Sequence, residues 1–350
     1  MTSKKRFDAN KVTILENGEY PYIVRLGSNN GHKGFIDEDI IHLNEGNTIS
    51  FGQDTATMYY QEKPYFTGDK IKILKAKTDQ FNMQNAQFFI STMMEAFSSF
   101  SWGSSSFSVE TIKSQKLSLP ISKDGRIDFD FMENILAELE AEKIEALEAY
   151  LSAKGLKDYT LTSEEQASID RLDQTTWDIF KIEDVLVWQQ KIAELNPLHL
   201  DSLSVSEDNK YPFYGQATAN NGIIEYRHLK DDVLNNRFGK PTILIHSNNQ
   251  NTVYLETPFY LKDGHGATSV LQSEHLDHLN VHFLISSIQK VILKKFAYNN
   301  KATKIALKNT EISLPVKSDK TPDYDFMSCI ISATQKLVIK DVVLYSEKKK

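Results

Sequence analysis

A single cysteine, Cys329, in 350 residues leaves no partner for an intramolecular disulfide and excludes a zinc or iron–sulfur site built from several thiolates. Long apolar runs are missing too. The longest uncharged stretches, Gln80 to Met94 and Ala96 to Val109, are full of Gln, Asn and Ser. The basic segment Met1 to Phe7 is followed by no apolar core, so neither a membrane span nor a signal peptide is expected, and the cytoplasm is the expected location. Nucleotide chemistry finds little support. Arg237-Phe-Gly-Lys-Pro-Thr242 has a Gly-Lys pair but lacks the upstream glycine of a phosphate loop and places proline where a helix must begin. Asn196-Pro-Leu-His199 lacks the second proline and the stacking aromatic of an amino-methyltransferase. Pro322-Asp323 with Glu347-Lys-Lys349 spells a nuclease-like pattern. Its members sit at opposite ends of one predicted helix, about 36 Å apart, too far to share a metal.

Hydrophobic residues make up 40% of the chain and charged residues 25%, an ordinary globular balance. The net charge of −7 is unevenly spread. Residues Asp128 to Asp184 carry 16 acidic and 5 basic side chains, so the remainder is +4. A surface outside that segment can therefore still face a polyanion, although charge alone does not distinguish this from a solvated acidic helix.

The chain is written twice. Leu117-Ser-Leu-Pro120 and Asp128-Phe-Asp-Phe-Met132 recur as Ile312-Ser-Leu-Pro315 and Asp323-Tyr-Asp-Phe-Met327, both displaced by 195 positions. Phe88-Phe-Ile-Ser91 matches Phe283-Leu-Ile-Ser286 at the same displacement, while Tyr20-Pro-Tyr22 and Asn29-Asn-Gly31 match Tyr211-Pro-Phe213 and Asn220-Asn-Gly222 at 191. Each copy reads as a β-rich module followed by a helix. In the first, Tyr20 to Leu26, Thr48 to Phe51, Met58 to Tyr60 and Lys70 to Leu74 are predicted strands. A buried helix follows over Gln84 to Phe97, then a Ser- and Gly-rich loop to Ser108 and an extended segment over Leu117 to Ile121.

Long terminal helices are predicted in both copies. Met132, Leu136, Leu139, Ile144, Leu147 and Leu151 form one apolar stripe; Met327, Ile330, Ile331, Thr334, Leu337, Val338 and Val342 form the other. Such stripes cannot be buried alone, which predicts that the two helices pack together, and Met132, Leu136, Leu139, Leu147, Met327, Ile331, Leu337 and Val338 are the expected packing residues. Asp128 and Asp323 are predicted N-caps. An Asp-x-Asp metal pair is the sharper reading, but no third ligand accompanies it. Between the copies, Ser163-Glu-Glu-Gln166 predicts a capping box, and Trp177 to Val187 an opening strand with a faint echo in Phe7 to Leu15.

Two features carry possible chemistry. His275, His278 and His282, at i, i+3 and i+7, would share one face of a helix, yet Gln80, Met83 and Gln87 stand at the equivalent positions, so polar contact with a partner competes with zinc. Asn29-Asn-Gly31 and Asn220-Asn-Gly222 are turns that need positive φ; their matched placement fits fold and function alike.

The duplicated order, with Tyr211-Pro-Phe213, Asn220-Asn-Gly222 and Tyr226 in one half, Tyr20-Pro-Tyr22, Asn29-Asn-Gly31 and Phe35 in the other, and Trp177-Asp-Ile-Phe180 opening the second, resembles the specificity subunits of restriction-modification enzymes. The short halves look more like those of type IIB than of type I enzymes. The resemblance implies an α+β fold: two β-rich target-recognition domains, pseudo-symmetrically arranged and joined by two long antiparallel helices. The expected division is 1–127 and 177–322 for recognition, 128–157 and 323–350 for spacer helices, and 158–176 as a connector. Each module would read half of a split double-stranded DNA target. The helices would set the spacing and dock methyltransferase and nuclease subunits, separate or fused, in which S-adenosylmethionine and Mg²⁺ would act; this chain would be non-catalytic. Ser28, Asn29, Asn30, His32, Lys33, Gln53 and Thr55 are the expected DNA contacts of the first module, and Gln216, Thr218, Asn220, Asn221, Ser247, Asn249 and Gln250 those of the second. The rival readings are a duplicated carbohydrate- or protein-binding module with a helical spacer and, third, a metal hydrolase built on the His275 cluster.

Overall fold

The computed structural model describes residues 3–98, 108–206 and 209–349. The chain divides into two compact units, Met1–Ala149 and Tyr150–Lys350.

In the first unit, β1 (Pro21–Ile23), β2 (His32–Phe35), β3 (Thr48–Gly52), β4 (Met58–Gln61), β5 (Phe66–Thr67) and β6 (Ile71–Leu74) form two three-stranded sheets, ordered β2-β1-β5 and β4-β3-β6. The predicted strands are present within a few residues. β2 and β5 were not expected: β2 carries Gly34, and β5 is two residues long, held by parallel pairing to β1. Helix α1 (Met83–Ala96) lies where periodicity places it. Asn82 caps it reciprocally with Asn85, and its inner residues Ala86, Ile90 and Met93 pack with Phe97 on Ile49, Phe51 and Met58. Burial of an Ile, Met or Phe side chain contributes about 1.5–3 kcal/mol. The short α2 (Val109–Ser114) follows, and the predicted Ser- and Gly-rich loop lies mostly outside the described residues. Leu117 to Pro120 is extended, as expected, but among the described residues no strand pairs with it. Helix α3 (Phe129–Ala153) then begins, Asp128 accepting a hydrogen bond from Phe131 N at 2.9 Å as its predicted N-cap.

The second unit opens with α4 (Ser163–Asp170). Its capping box is Thr162 with Glu165, one residue earlier than predicted, because the Thr162 hydroxyl rather than that of Ser163 reaches the third helical N–H. Next come β7 (Trp177–Lys181), α5 (Ile182–Val185), β8 (Val187–Trp188), β9 (Glu194–Leu195) and α6 (Leu200–Leu203). The repeat then resumes through β10 (Tyr211–Tyr214), β11 (Ile223–Arg227), β12 (Thr242–His246), β13 (Thr252–Leu255), β14 (Tyr260–Lys262), β15 (Thr268–Gln272), α7 (Asn280–Lys295), α8 (Lys304–Lys308), β16 (Glu311–Pro315) and α9 (Tyr324–Lys348). Its sheets are β11-β10-β14-β9, β13-β12-β15-β8 and the pair β16-β7.

Trp177 to Trp188 closes the core of this module. β7 pairs with β16, β8 pairs with β15, and Ile182, Val185, Leu186 and Trp188 pack with Val281, Leu284, Ile288 and Ile292 of α7. The expected echo in Phe7 to Leu15 is not its counterpart. Arg6 bridges β5 as Glu194 and Leu195 pair with β14, so Phe7 to Leu15 corresponds to the stretch after β9.

Helix α9 is capped by Asp323, which accepts from Phe326 N at 3.0 Å. It packs against α7 and α4 through Phe326, Met327, Ile330 and Ala333. Glu165 of α4 accepts hydrogen bonds from Ser332 Oγ at 2.6 Å and Lys336 Nζ at 3.0 Å. The expected stripe is thus only partly buried. Met132 and Met327 are fully enclosed and Leu136, Leu147 and Ile331 partly so, but Leu139, Leu337 and Val338 are 48%, 51% and 72% exposed. On α9 the buried face is rotated toward Ile330 and Ala333, which leaves Leu337 and Val338 facing outward. Among the described residues no helix is long and apolar enough to cross a membrane.

Candidate nucleic-acid interface

The two Asn-Asn-Gly segments fold alike. Asn29, Asn30 and Gly31 have φ of 49°, 53° and 74°, and Asn220, Asn221 and Gly222 have 49°, 52° and 80°. Three successive left-handed residues reverse the chain between β1 and β2 and between β10 and β11. Asn tolerates this region better than other non-glycine residues, and glycine is needed where a Cβ would press on Val24 O and the Tyr59 ring, or on the carbonyls of Gly215 and Ala217. The first Asn of each trio donates from Nδ2 across its own turn, to His32 O at 3.1 Å and to Ile223 O at 3.2 Å.

In the first unit this turn is tied to the hairpin between β3 and β4. Asn30 Nδ2 donates to Tyr60 O at 3.0 Å, and Gln61 Nε2 returns a bond to Asn30 O at 3.1 Å. Ser28, Asn29, Asn30, Lys33 and Thr55 are exposed, while His32 and Gln53 are half-buried. Arg6, Arg25, Lys33, Thr55 and Asp69 line a shared open depression of about 570 Å³. Asp54 is held below the usual carboxylate range, chiefly by its Lys70 hydrogen bond and with Arg25 adding to it. The pair of cations, 2.8 Å and 2.5 Å from that carboxylate, is therefore fixed beside the turn. Lys33 and Thr55 come together as expected; Arg6, Arg25 and Lys70 were not anticipated, because their approach depends on strand pairing distant in sequence.

In the second unit four segments converge. Asn248 Nδ2 donates to Gln216 Oε1 at 2.7 Å, Asn249 Nδ2 to Gln216 O at 2.6 Å and Asn251 Nδ2 to Ala217 O at 3.1 Å, fastening the β12–β13 turn to the Asn-Asn-Gly turn. Ser247 N donates to Ala267 O, and Ser247 O accepts from Ala302 N, adding the β14–β15 turn and the loop after α7. Thr218, Asn220, Asn221 and Asn249 are exposed and Gln216 is half-buried. Ser247 and Gln250 are buried, and Gln250 Nε2 is spent on Ser247 O at 3.1 Å, so these two shape the turn. Beneath them His246 is wholly enclosed, Nδ1 on Thr268 Oγ1 at 2.9 Å, and burial lowers its pKa to about 4.

The histidine cluster does not assemble. Helix α7 begins at Asn280, where Asp277 and Asn280 cap each other, so His275 and His278 precede it and the i, i+3, i+7 face does not exist. His275 stacks on Tyr324 and His282 packs on Tyr254. Among the described residues no group of three His, Cys, Asp or Glu could hold a metal ion.

A family model for the type I restriction modification DNA specificity domain matches residues 2–149 and 174–342. The specificity subunit S.BcgI of a type II restriction enzyme from Heyndrickxia coagulans is 27% identical over 334 residues, covering 92% of this chain and 88% of that protein. The crystal structure of the S subunit of a type I restriction-modification system from M. genitalium superposes with a TM-score of 0.58, at 13% identity, over 100% of this chain and 95% of that one, a likeness of fold.

Proposed function

From the premise that this chain belongs to the type I restriction modification DNA specificity family, we infer how its parts divide the work of a specificity subunit. Its two modules are recognition domains, each reading half of a bipartite DNA target. The observation that carries the assignment of surface is the repeated left-handed Asn-Asn-Gly turn, fastened in both units to a neighbouring hairpin and edged by exposed hydrogen-bonding side chains. Ser28, Asn29, Asn30, Lys33 and Thr55, with His32 and Gln53 behind them, face one half-site. Gln216, Thr218, Asn220, Asn221 and Asn249 face the other, supported by Ser247 and Gln250. Amide and hydroxyl groups suit base edges, and the cations around Asp54 suit phosphates, whose neutralisation releases counterions.

The chain itself performs no methyl transfer or cleavage in this reading. Those steps belong to methyltransferase and nuclease subunits in the cytoplasm, separate or fused, which would bind S-adenosylmethionine and Mg²⁺. The exposed Leu139, Leu337 and Val338 offer apolar ground for their docking.

Helices α3 and α9 each contain 25 residues, about 37 Å at 1.5 Å per residue, close to the roughly 34 Å of one B-DNA turn. Paired antiparallel, they would hold the modules one turn apart and set half-site centres about 10 base pairs apart. Sequencing the methylated positions in DNA from cells making this chain with its partners tests the proposal. Two short half-sites with an invariant gap are expected, and seven residues inserted into both helices should change the gap alone. A continuous target, or several tolerated gaps, would refute the spacing role.

A further inference from the structure

The loop after α7 was absent from the expected contacts, yet it reaches the same end of the second module. Ala297 and Asn300 bridge each other, each N–H donating to the other's carbonyl at 3.0 Å, so Tyr298 and Asn299 occupy the tip of a tight hairpin. Asn300 Nδ2 braces the tip by donating to Lys295 O at 3.0 Å. The hairpin is anchored beside the reading turns: Ala302 N donates to Ser247 O at 3.0 Å, and Lys304 Nζ lies 3.8 Å from the position a Cβ on Gly266 would take. Tyr298 is nonetheless 80% exposed, with Lys301 Nζ over its ring at 5.8 Å from the centroid.

A braced loop that holds a large aromatic ring in water with a lysine over its face and a second lysine six residues on has the composition of a stacking platform for nucleic acid. Resting on the assignment of DNA reading to this end, we propose that Tyr298 stacks on a base at the edge of the second half-site while Lys301 and Lys304 neutralise the flanking phosphates. In sequence, the lysines of this loop belong to one module. At the displacement of 195, Tyr298, Lys301 and Lys304 stand opposite Gly103, Ser106 and Val109, and the run Phe97 to Ile112 carries no cation, against four lysines in Ile292 to Leu307. This loop would therefore add phosphate contacts in the second module only. Another exposed aromatic, Phe238 at 90%, provides an internal control: it sits in the β11–β12 loop, at the start of β12, whereas the β12–β13 turn fastened to the Asn-Asn-Gly turn follows the end of that strand.

The test is selection from a randomised duplex library by the complex of this chain with its methyltransferase and nuclease subunits, followed by affinity and salt titration on the selected duplex. Tyr298→Ala should weaken binding about tenfold, the scale of one lost base–aromatic stack, and relax preference at the edge of the second half-site only. Tyr298→Phe should stay within twofold of the parent. Lys301→Ala with Lys304→Ala should lower affinity for all sequences and reduce the salt slope by about two. Phe238→Ala should change neither. Unchanged affinity and preference for Tyr298→Ala, with the parent still selecting a two-part sequence, would overturn the proposal. A parent complex that selects no two-part sequence would instead overturn the DNA-reading assignment on which it rests.

Discussion

The two modules share an order of elements but differ in how their cores are closed. In the second, β7, α5 and β8 cover the face between β15 and β16, and Ile312, Leu314 and Leu271 are fully enclosed. In the first, the matching Leu117, Leu119 and Leu74 are only half-buried, and the extended segment after α2 has no strand beside it among the described residues. The same sequence motif thus sits in two environments. A β-strand without its neighbour keeps its side-chain alternation but loses ladder hydrogen bonds and one wall of its core, so equal residues contribute unequally.

Matched substitutions measure that inequality most directly. Ile312→Asp should abolish the cooperative unfolding of the second module, a loss above about 4 kcal/mol, because a carboxylate would replace a fully enclosed side chain; Leu117→Asp should cost about 1–2 kcal/mol. Urea unfolding of both variants checks this, and equal costs would mean that the two cores are closed alike.

Acid should separate the modules next. His246 has no counterpart in the first, where Gly52 occupies the matching position of β3. Its pKa falls from 6.5 to about 4 on folding, through burial, so the unfolded chain binds more protons between those values. Stability is complete above pH 6.5 and declines as pH falls toward 4, by about 3 kcal/mol at the lower limit. His246→Leu should flatten this window in pH-dependent unfolding of the second module, leaving the first unchanged.

A smaller effect is expected at the join of α4 and α9. Burial raises the pKa of Glu165, but hydrogen bonds from Ser332, Thr162 and Lys336 outweigh it and bring the value to about 2. This depressed carboxyl contributes stability that is present above the unfolded value near 4.5 and is lost as pH falls toward 2. Glu165→Gln should remove about 2 kcal/mol at neutral pH and detach α4 in hydrogen exchange, with no change in the first module.

The least effect on folding should come from Leu337→Lys with Val338→Lys. Both residues face solvent, so stability should move by less than about 0.5 kcal/mol, while co-purification with a methyltransferase subunit should be lost. A large destabilisation would show instead that these positions hold the chain's own fold.

Much of this organisation is written locally. The displacement of 195 locates both copies, and Asp128 and Asp323 mark their helices because an N-cap depends on neighbours three residues away. β5 was illegible because two residues carry no periodicity and become a strand only through β1. Ser247 and Gln250 look like surface polar residues, and their burial is decided by Ala267 and Ala302, far along the chain. Tyr298 is illegible for the converse reason: an isolated tyrosine reads as core until a hairpin projects it.

The Asn-Asn-Gly turns also constrain how such a protein can acquire new targets. Three left-handed residues in succession tolerate few replacements, so both copies keep the same trio while the residues around it diverge: at the displacement of 191, Ser28 is replaced by Ala219, His32 by Ile223 and Lys33 by Ile224. A costly backbone thereby becomes a fixed mount on which flanking side chains are interchangeable. Novelty in recognition then requires no refolding, only exchange of a few groups carried on a shape already secured.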